Sequence, residues 1–271
     1  MKVGIIGGTG QLGSALAKGM LQAGVLNPDQ LCVSNRSGEL QALSGWPAVR
    51  CTADNAELAA GADVVFLSVP PGLFSTLQLD LSSHLIISVM AGITVADIGA
   101  ATGARRIARA MSSPAAAQNR AFSPWYAAGL SDEDQQCVDR LLASCGLADQ
   151  LAEEDLVNQF TALTGPVPGF VAYFAAAVQA HAVQQGIPPA IAERAIKQLF
   201  LASGELMAGS PASPQAFVDE MIDYAGVTAA GMLAMNDLDV PGLISRGFDA
   251  AYARTQTIGA ASSSPAATET E

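Results

Sequence analysis

The sequence predicts an α/β fold, with a doubly wound parallel sheet in the first part of the chain and helices alone in the rest. Short apolar runs alternate with segments of helical period up to about residue 150, and near-continuous apolar strands are typical of a parallel sheet covered on both faces. From about residue 153 the pattern is helical. We therefore expect a sheet domain over residues 1–153 and a helical domain over residues 154–258. Residues 259–271 are mostly Ala, Ser, Thr, Pro and Glu without periodicity, so a disordered tail is expected there.

Five apolar runs in the first domain are the predicted strands. Two of them lead into turns that contain proline or glycine, Pro70-Pro71-Gly72 and Ala91-Gly92. Because the carboxyl ends of parallel strands meet at one edge of a sheet, where ligands of such folds bind, we expect both turns at that edge. The runs are Val3–Ile6, Leu31–Val33, Val64–Val69, Leu85–Met90 and Arg106–Ala110.

The second domain is predicted from apolar positions at helical spacing between turns that contain glycine and proline. Ser213-Pro214 has the residue types favoured at a helix N-cap and first turn, so a helix is expected to begin there. The most apolar stretch, residues 160–183, is interrupted by two prolines, a glutamine and a histidine, which favours a buried helix over a membrane span. Helices are expected over Ile191–Met207, Ala216–Asp223 and Thr228–Ala234.

The turn after the first strand carries the pattern Gly8-Thr9-Gly10-Gln11-Leu12-Gly13 and leads into a helix. Gly8 permits a tight turn, Gly10 lets backbone amides approach a pyrophosphate, and Gly13 allows close packing of helix and strand. The helix N-terminus adds partial positive charge. In this context of strand, turn and helix, the pattern predicts a dinucleotide-binding (Rossmann) domain rather than a glycine-rich surface turn.

The segment after the second strand indicates which dinucleotide binds. Asn35-Arg36-Ser37 begins 22 residues after Gly13, where proteins that bind NAD usually carry Asp or Glu to hold the ribose hydroxyls. The guanidinium of Arg36 can pair with a 2′-phosphate, and Asn35 and Ser37 can add neutral donors. The sequence therefore predicts NADP; the alternative is that Arg36 is simply a solvated loop residue.

The composition excludes several classes of function. With 13 basic and 25 acidic residues the net charge is −12, which argues against nucleic acid or an anionic membrane as a partner. The start of the chain has no secretory signal pattern. The 4 cysteines lie far apart and neither of the 2 histidines has a ligand-type neighbour at useful spacing, so no metal site is predicted. We expect reduced thiols and a cytoplasmic protein.

The chain up to about residue 257 resembles the pyrroline-5-carboxylate reductases, because several separate motifs match that family in order. The matching segments are the turn at Gly8–Gly13, Asn35-Arg36-Ser37, Asn55, Ser68-Val69-Pro70-Pro71, Ser88-Val89-Met90-Ala91-Gly92, Met111-Ser112-Ser113-Pro114, Thr161-Ala162-Leu163-Thr164-Gly165 with Pro168, and Gly226-Val227-Thr228. The resemblance implies an NADPH-dependent reductase of a small cyclic imine, such as 1-pyrroline-5-carboxylate, which is reduced to proline. It also implies that the C-terminal helices intertwine with those of a second subunit in a homodimer.

The resemblance assigns roles to individual residues. Gly8, Thr9, Gly10, Gln11 and Leu12 would bind the cofactor together with a second set of residues. In the family, the threonine that matches Thr228 hydrogen-bonds the imine nitrogen. The second set of cofactor-binding residues is Asn35, Arg36, Ser37, Asn55, Val69, Pro70 and Pro71.

One loop departs from the family pattern. Members typically carry Ser-Pro-Gly-Gly-(Thr or Ala)-Thr where this chain reads Asp223-Tyr224-Ala225-Gly226-Val227-Thr228, and the family serine holds the substrate carboxylate. Two carboxylates about 4 Å apart repel each other by several kcal/mol in a partly desolvated site, which predicts an altered substrate. We hypothesise that Asp223 stabilises an iminium or donates the proton to nitrogen, with Tyr224 as an alternative donor. The competing interpretation is that Asp223 caps a helix or pairs with a basic residue away from the pocket.

A second function remains open at the level of sequence. The chain could retain the cofactor site without catalysis and act as an NADP-binding regulatory protein of the same fold, which the altered loop at Asp223 favours. A purely structural dimer is disfavoured by the intact glycine turn and by Arg36.

Overall fold

The computed structural model describes residues 1–37, 40–165 and 168–263, which contain eight strands and ten α-helices. The strands are β1 (Val3–Ile6), β2 (Leu31–Ser34), β3 (Arg50–Thr52), β4 (Val64–Leu67), β5 (Leu85–Ser88), β6 (Arg106–Ala110), β7 (Ala121–Ala127) and β8 (Gly146–Gln150). The helices are α1 (Gln11–Gln22), α2 (Asn55–Ala60), α3 (Val95–Thr102), α4 (Asp132–Ala143), α5 (Asp155–Leu163), α6 (Gly169–Gln184), α7 (Pro189–Ala208), α8 (Pro214–Asp223), α9 (Val227–Asp237) and α10 (Val240–Ser263).

The strands form one sheet in the order β3-β2-β1-β4-β5-β6-β7-β8. The pairs from β3 to β6 are all parallel, whereas β7 is antiparallel to β6 and β8 is parallel to β7. The chain moves outward from β1 to β3 and then returns to β4 on the other side of β1, so the order reverses between β1 and β4. Ligands of such sheets bind at this reversal, outside the carboxyl ends of the strands.

The predicted fold class is confirmed, and all five predicted strands are present. The sequence analysis missed β3, β7 and β8, each for a physical reason. Strand β3 is only three residues long, β7 contains Pro124, which cannot donate a ladder hydrogen bond, and β8 carries mostly exposed residues at the sheet edge. The sheet is therefore not wholly parallel as we expected, because β7 joins β6 in an antiparallel pairing.

Apolar side chains cover both faces of the sheet. Ile5 packs in one buried cluster and its neighbour Ile6 in the other, as the alternation of side chains along a strand requires. Phe66 and Leu67 divide in the same way on β4. Helices and loops on both faces keep water from these strands, which explains why they read as continuous apolar runs.

The chain divides into two compact units. One contains residues 1–167 and 250–271, and the other contains residues 168–249. Helix α5 thus packs with the sheet, although the sequence analysis placed it in the helical domain. The last helix continues to Ser263, so residues 259–263 are helical where we expected the tail to begin, and the rest of the predicted tail lies outside the described residues.

The unit of residues 168–249 consists of helices, as expected. Ser213 caps α8, where its hydroxyl accepts a hydrogen bond from the Ala216 amide at 3.2 Å. We expected the apolar stretch of residues 160–183 to form a buried helix. Instead, α5 ends at Leu163 and α6 begins at Gly169, and none of the side chains of α6 is buried in the single chain. Across the described part of the chain, no helix combines the length and the apolar character needed to cross a membrane.

Candidate cofactor and catalytic residues

The turn after β1 is anchored to the neighbouring strand. The amides of Gly7 and Gly8 both donate to the Ser34 carbonyl at 3.1 Å. Gly7 has φ +80°, and a Cβ there would lie 2.4 Å from the Ser68 carbonyl oxygen, so only glycine fits. The sequence analysis assigned the tight turn to Gly8 and missed Gly7, although the Gly-Gly pair directly after the strand was a visible signal.

Gly8 and Gly13 are required by close packing. A Cβ on Gly8 would lie 2.6 Å from Cβ of Val33, and one on Gly13 would lie 2.5 Å from the Gly7 carbonyl oxygen. Helix α1 therefore approaches the turn as closely as predicted for Gly13. The N-cap of α1 is Gly10, which offers no side chain to its first-turn amides, and the first turn holds no acidic residue. This uncapped, glycine-lined helix start fits a pyrophosphate.

The loop after β2 is joined to the glycine turn by side chains. Asn35 Nδ2 donates to Thr9 Oγ1 at 2.9 Å, and Ser37 Oγ donates to Asn35 Oδ1 at 3.2 Å. Arg36 is exposed and forms no hydrogen bond or ion pair with the other described residues. A cavity of about 450 Å³ lies beside the loop and includes Gln41 and Ala42, which the sequence analysis did not identify. The residues that line this cavity are Thr9, Asn35, Ser37, Gln41 and Ala42.

The remaining predicted cofactor residues follow β3 and β4. Asn55 begins α2, and its Oδ1 accepts a hydrogen bond of 2.6 Å from the Ser34 hydroxyl at the end of β2. The Ser68 amide donates to the Ile6 carbonyl at 3.0 Å, which sets the turn of Val69, Pro70 and Pro71 directly after the paired ends of β1 and β4. The structure therefore brings the predicted cofactor residues together around the point where the strand order reverses.

The three predicted catalytic residues lie on the turn between α8 and α9, in the helical unit. Asp223 is the last residue of α8, Tyr224 is its C-cap and is 82% exposed, and Thr228 lies in the first turn of α9. Asp223 is exposed and forms no hydrogen bond or ion pair with any described residue. Neither of the structural roles weighed for it, a helix N-cap and an ion pair, is therefore seen in the described residues, and a carboxylate at a helix C-terminus opposes the helix dipole.

Backbone strain marks the same turn. Ala225 adopts φ +55°, a left-handed conformation that costs a residue with a Cβ about 1 kcal/mol or more. The matching position in the family pattern is glycine. The altered loop thus keeps the backbone conformation that glycine would favour, next to a carboxylate that has no partner among the described residues.

The cysteine thiols and the potential metal ligands elsewhere in the described part of the chain do not form a further candidate site. Burial raises the pKa of the thiols of Cys32, Cys51 and Cys137, and it raises the pKa of Cys145 to about 11, so these thiols are poor nucleophiles. Within residues 1–37, 40–165 and 168–263, no cluster of three or more His, Cys, Asp or Glu side chains could hold a metal ion.

Two family models match the chain. The model described as pyrroline-5-carboxylate reductase dimerisation matches residues 154–258, and the model described as NADP oxidoreductase, coenzyme F420-dependent, matches residues 2–92. Pyrroline-5-carboxylate reductase 2 of Bos taurus is 27% identical over 271 residues, which cover 95% of this chain and 84% of that protein.

Solved structures agree with these matches. The 1-pyrroline-5-carboxylate reductase of Streptococcus pyogenes is 28% identical with a TM-score of 0.80, over 95% of this chain and 98% of that one. The pyrroline carboxylate reductase of Plasmodium falciparum, with NADP bound, shares the fold with a TM-score of 0.82 at 21% identity, over 96% and 98% of the two chains. Over nearly its whole length, the chain is similar to pyrroline-5-carboxylate reductases.

The two regions that the family models match divide the candidate residues between them. The NADP oxidoreductase region contains every predicted cofactor residue, from Gly8 to Pro71, and its description agrees with the predicted cofactor NADP. The dimerisation region contains Asp223, Tyr224 and Thr228.

Proposed function

We propose that this chain is an NADPH-dependent reductase of a small cyclic imine, with 1-pyrroline-5-carboxylate, reduced to proline, as one candidate substrate and an imine that places its charge differently as another. Similarity to the pyrroline-5-carboxylate reductases supports the reaction class. The single observation that carries the proposal on this chain is the glycine turn Gly7–Gly13, which leaves the amides at the start of α1 free of side-chain caps beside the loop of Arg36.

The cofactor-binding residues divide by the part of the dinucleotide that they would hold. The start of α1, behind Gly10, would bind the pyrophosphate through backbone amides. Arg36 is exposed and has no hydrogen bond or ion pair to another described residue, so its guanidinium is available to a 2′-phosphate. NADPH supplies the hydride when bound.

The catalytic roles are assigned to the turn between α8 and α9. Reduction of an imine adds a hydride to carbon and a proton to nitrogen. The hydroxyl of Thr228 would hold the nitrogen, and the carboxyl group of Asp223 would stabilise the iminium or deliver the proton, with the Tyr224 phenol as the alternative donor. The exposure of all three side chains in the single chain supports their access to a ligand.

The charge of Asp223 affects which imine the site would prefer. An ionised Asp223 would repel a substrate carboxylate placed against it, and it would attract the positive charge of an iminium. We therefore propose that the preferred substrate lacks a carboxylate at the position that faces Asp223. An imine with its carboxylate elsewhere, or with none, fits this requirement.

The helical unit supports a homodimer. Tyr173 and Leu206 are 72% and 69% exposed in the single chain, and α6 is apolar on all sides. A helix of that character is normally buried, so a second copy of the chain is the proposed cover. The free state of the four cysteines supports the cytoplasm as the proposed compartment.

The test is oxidation of NADPH, followed by absorbance, with 1-pyrroline-5-carboxylate and with cyclic imines that lack the carboxylate. NADH serves as the control for the cofactor. We expect turnover of at least one imine, with those lacking the carboxylate preferred. Faster turnover of 1-pyrroline-5-carboxylate than of all other imines would overturn the proposed specificity, and NADPH binding without turnover of any imine would favour the non-catalytic regulatory protein.

The variant Asp223→Ser separates specificity from catalysis. It removes the carboxylate and restores the family residue, so we expect faster turnover of 1-pyrroline-5-carboxylate and slower turnover of the imines without a carboxylate. Tyr224→Phe is the matched variant for the alternative proton donor. Unchanged kinetics in Asp223→Ser with every substrate would remove this residue from the site.

A further inference from the structure

Arg109 is a cation buried inside the sheet unit. It lies on β6 with its side chain only 1% exposed. Its Nη1 donates to Glu154 Oε1 at 3.3 Å, and its Nη2 donates to Asn158 Oδ1 at 2.6 Å. Burial lowers the pKa of Arg109 from its ordinary value, because desolvation outweighs the attraction of Glu154. Burying a guanidinium is costly unless it is paired, so the sequence keeps Arg109 and Glu154 together.

The partner Glu154 also holds a loop. Its Oε1 accepts a hydrogen bond of 2.8 Å from the Val95 amide, in the first turn of α3. Residues 89–94 connect β5 to this helix, and Arg109 lies two residues before residues 111–113, which follow β6. One carboxylate therefore links the loop after β5 to the strand that leads into the loop after β6. Both loops start at the carboxyl edge of the sheet, because β5 and β6 are parallel to β4 and β1.

The Arg109 network continues outward from the sheet. Asn158 Nδ2 donates to Asp155 Oδ1 at 3.0 Å, and the Tyr252 hydroxyl donates to Asp155 Oδ2 at 2.6 Å. These bonds connect α5 and Tyr252, in the middle of α10, to the same buried cation. The hydrogen bonds around Arg109 therefore join β6, α3 and α5.

One donor of Arg109 is unsatisfied. Its Nε is buried and has no hydrogen-bond partner among the described residues. An unpaired buried donor costs stability, so the arrangement is not explained by stability alone. An apolar side chain on this face of β6 would avoid both the desolvation of the charge and the orphaned donor. A functional reason for keeping the cation is needed.

We propose that Arg109, acting through Glu154, is a positioning residue that fixes the loops of residues 89–94 and 111–113 and thereby the reacting end of the bound cofactor. This inference rests on the proposed function. A dinucleotide lies across the point where the strand order reverses, so its adenosine half over β1 and β2 leaves the nicotinamide half beside β4 to β6. A displacement of about 1 Å at the reacting atoms can slow a reaction by about 100-fold.

The kinetic test uses Arg109→Lys and Glu154→Gln in the full chain. Lysine cannot reach both partners with a planar fork, and glutamine keeps the acceptor for the Val95 amide but removes the charge. We expect kcat per NADPH-binding site to fall by about 10- to 100-fold, with the Kd for NADPH within about threefold of the original. We also expect a larger deuterium isotope effect with NADPH labelled at the transferred hydrogen. Loss of folded protein alone would lower the number of sites and leave the isotope effect unchanged.

Arg106→Gln is the matched control, because Arg106 lies at the other end of β6, where its half-exposed side chain pairs with the buried carboxylate of Asp134. It removes an ion pair from the same strand without touching either loop. We expect a lower Tm and an unchanged kcat and isotope effect. A fall in kcat equal to that of Glu154→Gln would show that any damage to β6 has the same result, which would overturn the proposal.

Hydrogen exchange tests the positioning without relying on turnover. With NADPH bound, Glu154→Gln should increase amide exchange in residues 89–94 and 111–113, while Arg106→Gln should not. Unchanged exchange in both loops overturns the proposal whatever the activity is. If the original chain reduces no imine but the loops respond as expected, the proposed function fails and the positioning role of Arg109 stands.

Discussion

The sheet unit and the helical unit differ in how they bury their apolar side chains. In the sheet unit every residue of β1, β4 and β5 is buried. In residues 168–249, all of which are described, the buried apolar residues are only Ala192 and Ala229. The sheet unit therefore completes its core within one chain, whereas the helical unit exposes large apolar side chains that a monomer would leave in water. The predicted cofactor residues lie in the first unit, and the proposed catalytic residues lie in the second.

The largest effect is expected from disturbing the glycine turn of the sheet unit. In Gly13→Ala the new Cβ would lie 2.5 Å from the Gly7 carbonyl oxygen and 2.9 Å from Gly8 Cα, so the backbone of the turn must move. We expect NADPH affinity, measured by calorimetry, to fall by at least about 100-fold, which corresponds to about 2.8 kcal/mol. Gly45→Ala is the control, since a Cβ there meets open space. Retained affinity in Gly13→Ala would exclude the turn as the pyrophosphate site.

A smaller but still large effect is expected at the exposed face of the helical unit. Tyr173→Asp places a charge on α6, where Tyr173 is proposed to be covered by a second copy. Because aromatic residues at the centre of an interface often contribute 2 kcal/mol or more, we expect dimer dissociation to rise by about 30-fold or more, measured by sedimentation.

The control for the dimer prediction lies in the sheet unit. Leu147 on β8 is as exposed as the apolar residues of the helical unit, yet it stands alone on an edge strand. Leu147→Asp should leave the oligomeric state unchanged. A dimer that survives Tyr173→Asp and dissociates in Leu147→Asp would move the interface to the sheet edge and reverse the comparison between the units.

Cofactor selectivity gives the third effect. Arg36→Ala removes a charge-assisted contact to the 2′-phosphate, which is typically worth about 1.5–3 kcal/mol, so the Kd for NADPH should rise by about 10- to 100-fold. The Kd for NADH should change by less than about threefold. Arg105→Ala, also an exposed cation, is the control and should affect neither cofactor. An equal loss for both cofactors would mean that Arg36 does not recognise the phosphate.

The two units also differ in how far the sequence predicted them. Continuous apolar runs identified β1, β4 and β5 because burial on both faces leaves a strong pattern, while β7 was missed because of Pro124 within it. Helices α6 to α9 of the second unit were predicted from their spacing and from the cap at Ser213, whereas α10 was not predicted. Their exposure in the single chain was not predicted, because an apolar helix has the same sequence pattern whether its own chain or a second copy covers it.

The candidate site was predicted unevenly for a similar reason. Local patterns located the turn at Gly8–Gly13 and the loop at Arg36. Gly7 was missed because the atom that excludes a Cβ there, the Ser68 carbonyl oxygen, is distant in sequence. Gln41 and Arg109 carry no motif, and only the fold places them beside a cavity or inside a buried ion pair.

The smallest effect tests the strained turn of the helical unit. Ala225→Gly relieves a left-handed conformation that costs alanine about 1–2 kcal/mol, against a glycine entropy cost of about 0.5–1 kcal/mol, so we expect the free energy of unfolding to rise by up to about 1.5 kcal/mol. Ala195→Gly in the middle of α7 is the matched control and should lower it by about 0.5–1 kcal/mol. Opposite signs in denaturant unfolding would show that the turn carrying Asp223 stores strain. An equal decrease in the free energy of unfolding in both variants would mean that Ala225 is not strained in solution.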